Sequence, residues 1–320
     1  FWLKCWGSLL VAAMLSRLLC LLCLGSVRAE PISYTLEVRD WVVDYQRPTV
    51  QPRQAPFDVP VPSKKAAVLA NNSYPGPALE AFEGDTLEVT VVNQLLEGQI
   101  ALDFEGVEVQ QKHGLIRQQG GSFTYGLTAQ GAGTYWWHAR IGQQAARGLK
   151  GALVVRKRED AAEKAHQEER VMALSEEWVA PEVCLDAQGK LMQGCPELDR
   201  ATLNGQWGDG SSAYPLPVME VKKDRCYRLR FVGMMSQPLR CEVSIKEHEL
   251  QPLGATETVP GVTVRAGEGV DAVLCADKGS LLGGDYQINM TYVGKAEVRS
   301  FFATLRYPLL SKTSVPVGYV

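Results

Sequence analysis

The feature that most constrains this chain is a succession of short runs in which polar and apolar residues alternate, broken at close intervals by turn-forming clusters. Tyr34 to Val43 (YTLEVRDWVV) alternates in this way, and Thr86 to Asn93 (TLEVTVVN) repeats the pattern. Gln99 to Phe104, Gly121 to Leu127, Gly133 to His138 and Ala152 to Arg156 follow, separated by Gly, Pro, Asn and Gln. Successive side chains of a strand point to opposite faces, so such alternation marks sheets with one buried and one wet side. No helical periodicity lies between the runs. Short strands at this spacing predict an all-β chain of sandwiches or Greek-key barrels.

A chain of 320 residues exceeds one ordinary core, so two domains are expected. The stretch from Lys157 to Arg170 (KREDAAEKAHQEER) is almost wholly charged or small and offers no apolar face. It reads as a solvated linker over 158–170, with His166 a loop histidine inside it. The strand pattern then restarts, which divides the chain into a first domain over 30–157, a second over 171–308 and a tail over 309–320. Asn71 to Asn93 parallels Asn204 to Val232: each carries a Pro step, an extended run, a charged turn (EGD or KKD) and a strand rich in β-branched residues. That is weak internal repetition, consistent with a duplicated domain.

Residues 1–29 read as a signal peptide. Lys4 supplies positive charge, Leu9 to Leu24 is apolar apart from Ser16 and Arg17, and Val27-Arg28-Ala29 resembles a cleavage site. The run is short for a bilayer span and Arg17 interrupts it, so cleavage is favoured over a permanent anchor. No later stretch is long and apolar enough to span. The first residue is Phe1 rather than Met, which reads as a partial gene model or fragment. The net charge is −3, and the signal carries only basic charges, so its loss makes the chain more acidic. Nucleic-acid binding, which needs basic surface to neutralise phosphates, is excluded. The expected destination is extracellular.

Three of eight cysteines lie in the signal, leaving Cys184, Cys195, Cys226, Cys241 and Cys275. Export makes disulfides plausible. Cys184 and Cys195 bracket a turn-rich loop and form the preferred pair. Cys226, Cys241 and Cys275 can supply one more bond whose pairing stays open, and one thiol is left over. Asn71-Asn72-Ser73 and Asn289-Met290-Thr291 are N-glycosylation sequons.

Several segments resemble one family. YPGPALEAFEGDTLEVTVVNQL, from Tyr74, is similar to the first domain of multicopper oxidases, and the block from Gly121 to Val155 (GSFTYGLTAQGAGTYWWHARIGQQAARGLKGALVV) is closer still. It resembles the corresponding block of ascorbate oxidases and laccases. In the second half, ALSEEW, LNGQWGD, CYRLRFV and IKEHEL resemble the family's second domain. The resemblance covers nearly all of the chain after the signal. It implies two tandem cupredoxin-type Greek-key β-sandwich domains. Active members reduce O2 to water at a trinuclear copper cluster. They use a His-x-His-Gly and a His-x-His motif from the first domain and two histidine motifs from a third. The matching positions here are Asp103-Phe104-Glu105-Gly106 and His138-Ala139-Arg140. His138 is thus the one retained copper-ligand position. The third domain, with the remaining cluster ligands and the type 1 site, is absent from this chain. Copper is implied by the resemblance and expected to be lost.

The chemistry of these residues points the same way. Asp103 with Glu105, and His138 with Arg140, each share a strand face. Two carboxylates, one imidazole and one guanidinium are a poor set for redox copper. One reading is charge substitution, in which Arg140 with Asp103 and Glu105 neutralises a buried cavity that once held cations. On that reading Arg140→Ala should destabilise the first domain. A second reading has Asp103, Glu105 and His138 bind zinc or a hard divalent ion. A third has them as unrelated surface groups. His248 reads as a hydrogen-bonded turn histidine and His113 as exposed. Trp136 and Trp137 read as core packing and its border. No Gly-x-Ser-x-Gly elbow or phosphate-cradling loop is present, and no catalytic residue is assigned. The preferred reading is a secreted, catalytically degenerate protein that binds or supports a matrix or cell-wall partner. The alternative is a fragment of a copper-dependent oxidoreductase of ascorbate oxidase or laccase type, whose third cupredoxin domain lies outside this chain.

Overall fold

The computed structural model describes residues 30–44, 64–111, 114–158, 167–178, 181–212, 214–279 and 283–308. The expected signal peptide, the 309–320 tail, His113 and His166 lie outside the described residues. No helix among the described residues is long and apolar enough to cross a membrane.

The first half folds into β1 (Ile32–Asp44), β2 (Lys64–Ala70), β3 (Gly76–Phe82), β4 (Thr86–Asn93), β5 (Leu102–Phe104), β6 (Glu108–Val109), β7 (Gly121–Thr128), β8 (Gly133–Ala139) and β9 (Lys150–Arg156). They form one sheet of order β2-β1-β4-β7-β6 and a second of order β3-β9-β8-β5. The sheets close over a shared core that includes Leu36, Val89 and Tyr125 from one and Leu79, Trp137 and Leu153 from the other. This is a β-sandwich, with the inward residue of each alternating pair excluded from water.

The second half contains β10 (Gln167–Glu177), the single-turn helix α1 (Pro181–Cys184), β11 (Arg200–Leu203), β12 (Val218–Glu220), β13 (Arg225–Gly233), β14 (Arg240–Ile245) and β15 (Gln251–Pro252). It continues with β16 (Gly261–Arg265), β17 (Gly269–Ala276), β18 (Gly284–Val293) and β19 (Val298–Tyr307). Its sheets have orders β11-β10-β13-β17-β15 and β12-β19-β18-β14-β16. The first of these repeats the first sheet of the first half position by position. β1 and β10 each pair in parallel with β4 and β13, and antiparallel with β2 and β11. The weak sequence repetition is therefore a duplicated sandwich.

β10 begins at Gln167, inside the stretch expected to be a solvated linker, which corrects that expectation for residues 167–170. Glu168 and Arg170 form an exposed pair, but the charge of Glu169 is neutralised rather than solvated. Glu169 is bonded to Arg156 at 2.8 Å and to Arg230 at 2.7 Å, and Arg230 is fully buried.

Two kinds of contact join the sandwiches. Trp136 and Ala152, on the outer face of β8 and β9, pack against Ala173, Val232 and Met234. Around them run polar links: the Thr134 hydroxyl donates to Asp271 at 2.7 Å, and Arg230 reaches Asp271 at 2.7 Å. Lys150 of β9 lies 3.6 Å from Glu176 of β10, with the side chains 1% and 0% exposed. A Cβ on Gly269 would sit 1.6 Å from the Thr134 carbonyl oxygen, so β17 approaches β8 too closely for any other residue.

The disulfides are Cys184–Cys195 and Cys226–Cys275. The second joins residues that are in register on β13 and β17. Cys241 is the remaining thiol and is buried.

Candidate functional site

β5 is an edge strand paired antiparallel with β8, and Asp103 stands opposite His138. The pairing continues beyond the strand ends. The Arg140 N–H donates to Ala101 O at 2.9 Å, and the Glu105 N–H donates to Trp136 O at 3.0 Å. Residues opposite one another in a ladder share a face, so Asp103, Glu105, Trp136, His138 and Arg140 all lie on the outer side, towards the second sandwich. Phe104, Trp137 and Ala139 point into the core. Two local devices hold this shape. Gly106 adopts φ +71°, and a Cβ there would lie 2.1 Å from the Tyr135 ring. The Tyr125 hydroxyl accepts the Leu102 N–H at 3.1 Å behind β5. Burial pushes the Tyr125 pKa up, although that N–H works against the rise.

The structure thus brings the four residues singled out in the sequence into one neighbourhood, where they form two diagonal pairs. His138 Nε2 lies 3.7 Å from Glu105 Oε1, and Arg140 Nη1 lies 3.7 Å from Asp103 Oδ1. The His138 ring stacks on Trp136 with centroids 4.1 Å apart. The Arg140 and Asp103 side chains are 44% and 40% exposed, so the idea of a buried, neutralised cavity is corrected. Water solvates this pair, and no large desolvation cost requires it.

The donor set does not fit a copper cluster. It offers one imidazole, with a carboxylate facing its Nε2. A permanently charged guanidinium, that of Arg140, stands two residues along the same strand face. The single zinc or hard-ion site fits no better. Its two carboxylates turn to different partners, and no group of three His, Cys, Asp or Glu side chains among the described residues converges on a metal position. An open depression of about 470 Å³ lies beside the pair, lined by Glu105, Trp136, Met235, Arg265, Gly267 and Glu268.

His248 lies elsewhere, buried in a turn. Its Nδ1 is 2.8 Å from Lys246 O and its Nε2 is 2.7 Å from the Tyr307 hydroxyl. A carbonyl only accepts, so Nδ1 carries the proton and Nε2 accepts from Tyr307. Both ring nitrogens are committed, and burial pushes the Tyr307 pKa up to about 12. Sequence reasoning missed the charge network between the sandwiches, Glu169 above all. Burial works against its ionised form, but hydrogen bonds from Arg230 and Arg156 outweigh burial and hold its pKa at about 2 rather than 4.5. The available signal was Arg228 and Arg230 alternating along a strand, which demands buried acidic partners.

Comparison with known proteins adds the lineage. The family model for multicopper oxidases matches residues 51–160. Laccase-1 of Cryptococcus neoformans is 28% identical over 258 residues, which is 70% of this chain and 40% of that protein. Laccase-3 of Oryza sativa is 30% identical over 235 residues, 66% of this chain and 40% of its own length. The matched segment and the laccase relatives support a member of the multicopper oxidase family. In fold it is similar to the laccase from Botrytis aclada, with a TM-score of 0.66 at 18% identity, over 92% of this chain and 56% of that one. This multicopper oxidase relative spans about 40% of the length of the two laccases it matches.

Proposed function

We propose that this chain is a multicopper-oxidase-like module that does not reduce O2 and that acts outside the cell as a binding or structural protein. The observation that carries the reading is the pair of ion contacts at β5 and β8. His138 faces Glu105 and Arg140 faces Asp103, so a fixed cation stands where a metal-binding imidazole would be needed. Two disulfides support an oxidising destination, as does the N-terminal apolar segment read as an export signal. The partner class that fits is an extracellular matrix or cell-wall component. The test uses the purified full chain: copper is measured by mass spectrometry and oxygen uptake is followed with ascorbate and with a phenol. Trace copper and no uptake above buffer are expected. Stoichiometric copper together with substrate-dependent uptake would overturn the proposal.

One observation favours a second reading. The chain spans about 40% of the matched laccases, so a longer protein could place a further cupredoxin domain beside this pair. Transcript sequence downstream of Val320 decides it. An in-frame continuation with His-x-x-His-x-His and His-Cys-His motifs would favour the oxidoreductase, with Asp103, Glu105 and Arg140 still leaving three of the four first-sandwich positions without histidine.

A further inference from the structure

The two sequons stand in opposite surroundings. Asn71 is part of a turn bracket: its Oδ1 accepts the Glu37 N–H at 2.7 Å and its Nδ2 donates to Thr35 O at 2.9 Å. The same bracket recurs in the second sandwich, where Asn204 Oδ1 accepts the Ala173 N–H at 2.7 Å. In both, the asparagine N–H donates back to the same strand residue at 2.9 Å. Their φ angles are +53° and +51°, a left-handed conformation that asparagine tolerates. Asn204-Gly205-Gln206 is not a sequon. Turn geometry alone therefore accounts for asparagine at 71, and a sugar on Nδ2 would replace a proton of an amide already bound to β1 at both ends.

Asn289 has no such account. It sits in the middle of β18, where asparagine is disfavoured, between Ile288 and Met290, which enter the core. It faces outward, and its Nδ2 makes only a 3.4 Å contact with the Ser244 hydroxyl. Thr291, the hydroxyl residue of the sequon, shares this face. Directly opposite Asn289 on β19 stands Phe302, 39% exposed, with Val298, 67% exposed, further along the same strand face. Opposed side chains of a ladder start about 5 Å apart, so a sugar attached to Nδ2 would lie over the Phe302 ring.

We propose that Asn289 carries an N-linked glycan whose first sugar covers Phe302, and that Asn71 is unmodified in the folded protein. This rests on the extracellular reading above. In the transfer, Nδ2 forms a bond to C1 of an oligosaccharide carried on a polyprenyl diphosphate. The C1–O bond breaks, the diphosphate leaves, and a base of the transferase takes the amide proton.

The test directs the full chain into a eukaryotic secretory pathway behind a host leader, so that occupancy is read whatever the chain's own N-terminal segment does. Enzymatic glycan release in heavy-oxygen water should yield labelled Asp at 289 and unlabelled Asn at 71 in the monomeric product. An unoccupied Asn289 or an occupied Asn71 overturns the proposal. Removing the glycan should raise binding of a hydrophobic dye, and Phe302→Ser should abolish the rise. No rise would overturn the covering role, as would a protein still bound over this face. A parallel arm carries the chain's own N-terminus. Failure of export there overturns the extracellular reading while the occupancy result stands.

Discussion

Replacing Lys150 by methionine keeps the bulk of the side chain and removes its charge from the contact between the sandwiches. The ammonium lies 3.6 Å from Glu176 and donates to Met234 O at 2.9 Å. At an effective dielectric of about 20 that separation corresponds to roughly 4–5 kcal/mol of attraction, set against the cost of drying both groups. In the variant, Glu176 stays fully buried and keeps the Ser236 N–H and hydroxyl on Oε1, while Oε2, without a hydrogen-bond partner, loses the opposing charge as well. Stranding a buried charge costs about 3–5 kcal/mol. Glu176→Gln should cost a similar amount by stranding the lysine. The double variant removes both charges and leaves an acceptor for Ser236, so it should return to within about 1–2 kcal/mol of the parent. Urea denaturation followed by tryptophan fluorescence reads this directly, since urea does not screen charges as guanidinium does. If Lys150→Met costs under about 1 kcal/mol, or if the two single costs simply add, the pair is not the coupled element described here.

Four further outcomes are expected. Glu169 binds its proton far less readily folded than unfolded, so its contribution is present above pH 4.5 and is lost as the pH falls towards about 2. Acid unfolding should show up to roughly 3 kcal/mol of lost stability in that window, and Glu169→Gln should remove that dependence. Arg140→Ala should change stability by less than about 1 kcal/mol in a thermal melt, because its pair with Asp103 is solvated. Burial pushes the Cys241 thiol pKa well above its usual range, so an aromatic disulfide reagent should label it only after unfolding. Gly269→Ala should lower the melting temperature, with a cost of about 1–3 kcal/mol from forcing a methyl against Thr134 O.

Much of this fold is legible in the sequence because its strands have one dry face. TLEVTVVN reads as β4 and the runs from Gly121 and Gly133 read as β7 and β8, since Val89, Tyr125 and Trp137 recur at the sandwich period. Only the opening of β10 is hidden, because Glu168, Glu169 and Arg170 are charged and Glu169 depends on arginines distant in sequence, information that local pattern does not carry. The Trp136-Trp137 pair shows the same limit. Alternation puts them on opposite faces, but only tertiary structure shows that the outer face is covered by Val232 and Met234. At the site, the common face of Asp103, Glu105, His138 and Arg140 follows from spacing by two. The degree of exposure does not, because it depends on how the second sandwich sits over β8. Spacing likewise leaves open the partner of Cys226, which the register of β13 and β17 selects as Cys275.

The position of β5 has a further consequence. It is a three-residue strand at a sheet margin, and its neighbourhood holds a carboxylate–guanidinium pair in contact with water. Unpaired sheet margins invite a second molecule to add a strand, and short, highly charged borders discourage it. An ionic sheet margin of this kind can thus serve colloidal stability, keeping neighbouring molecules apart at high local concentration.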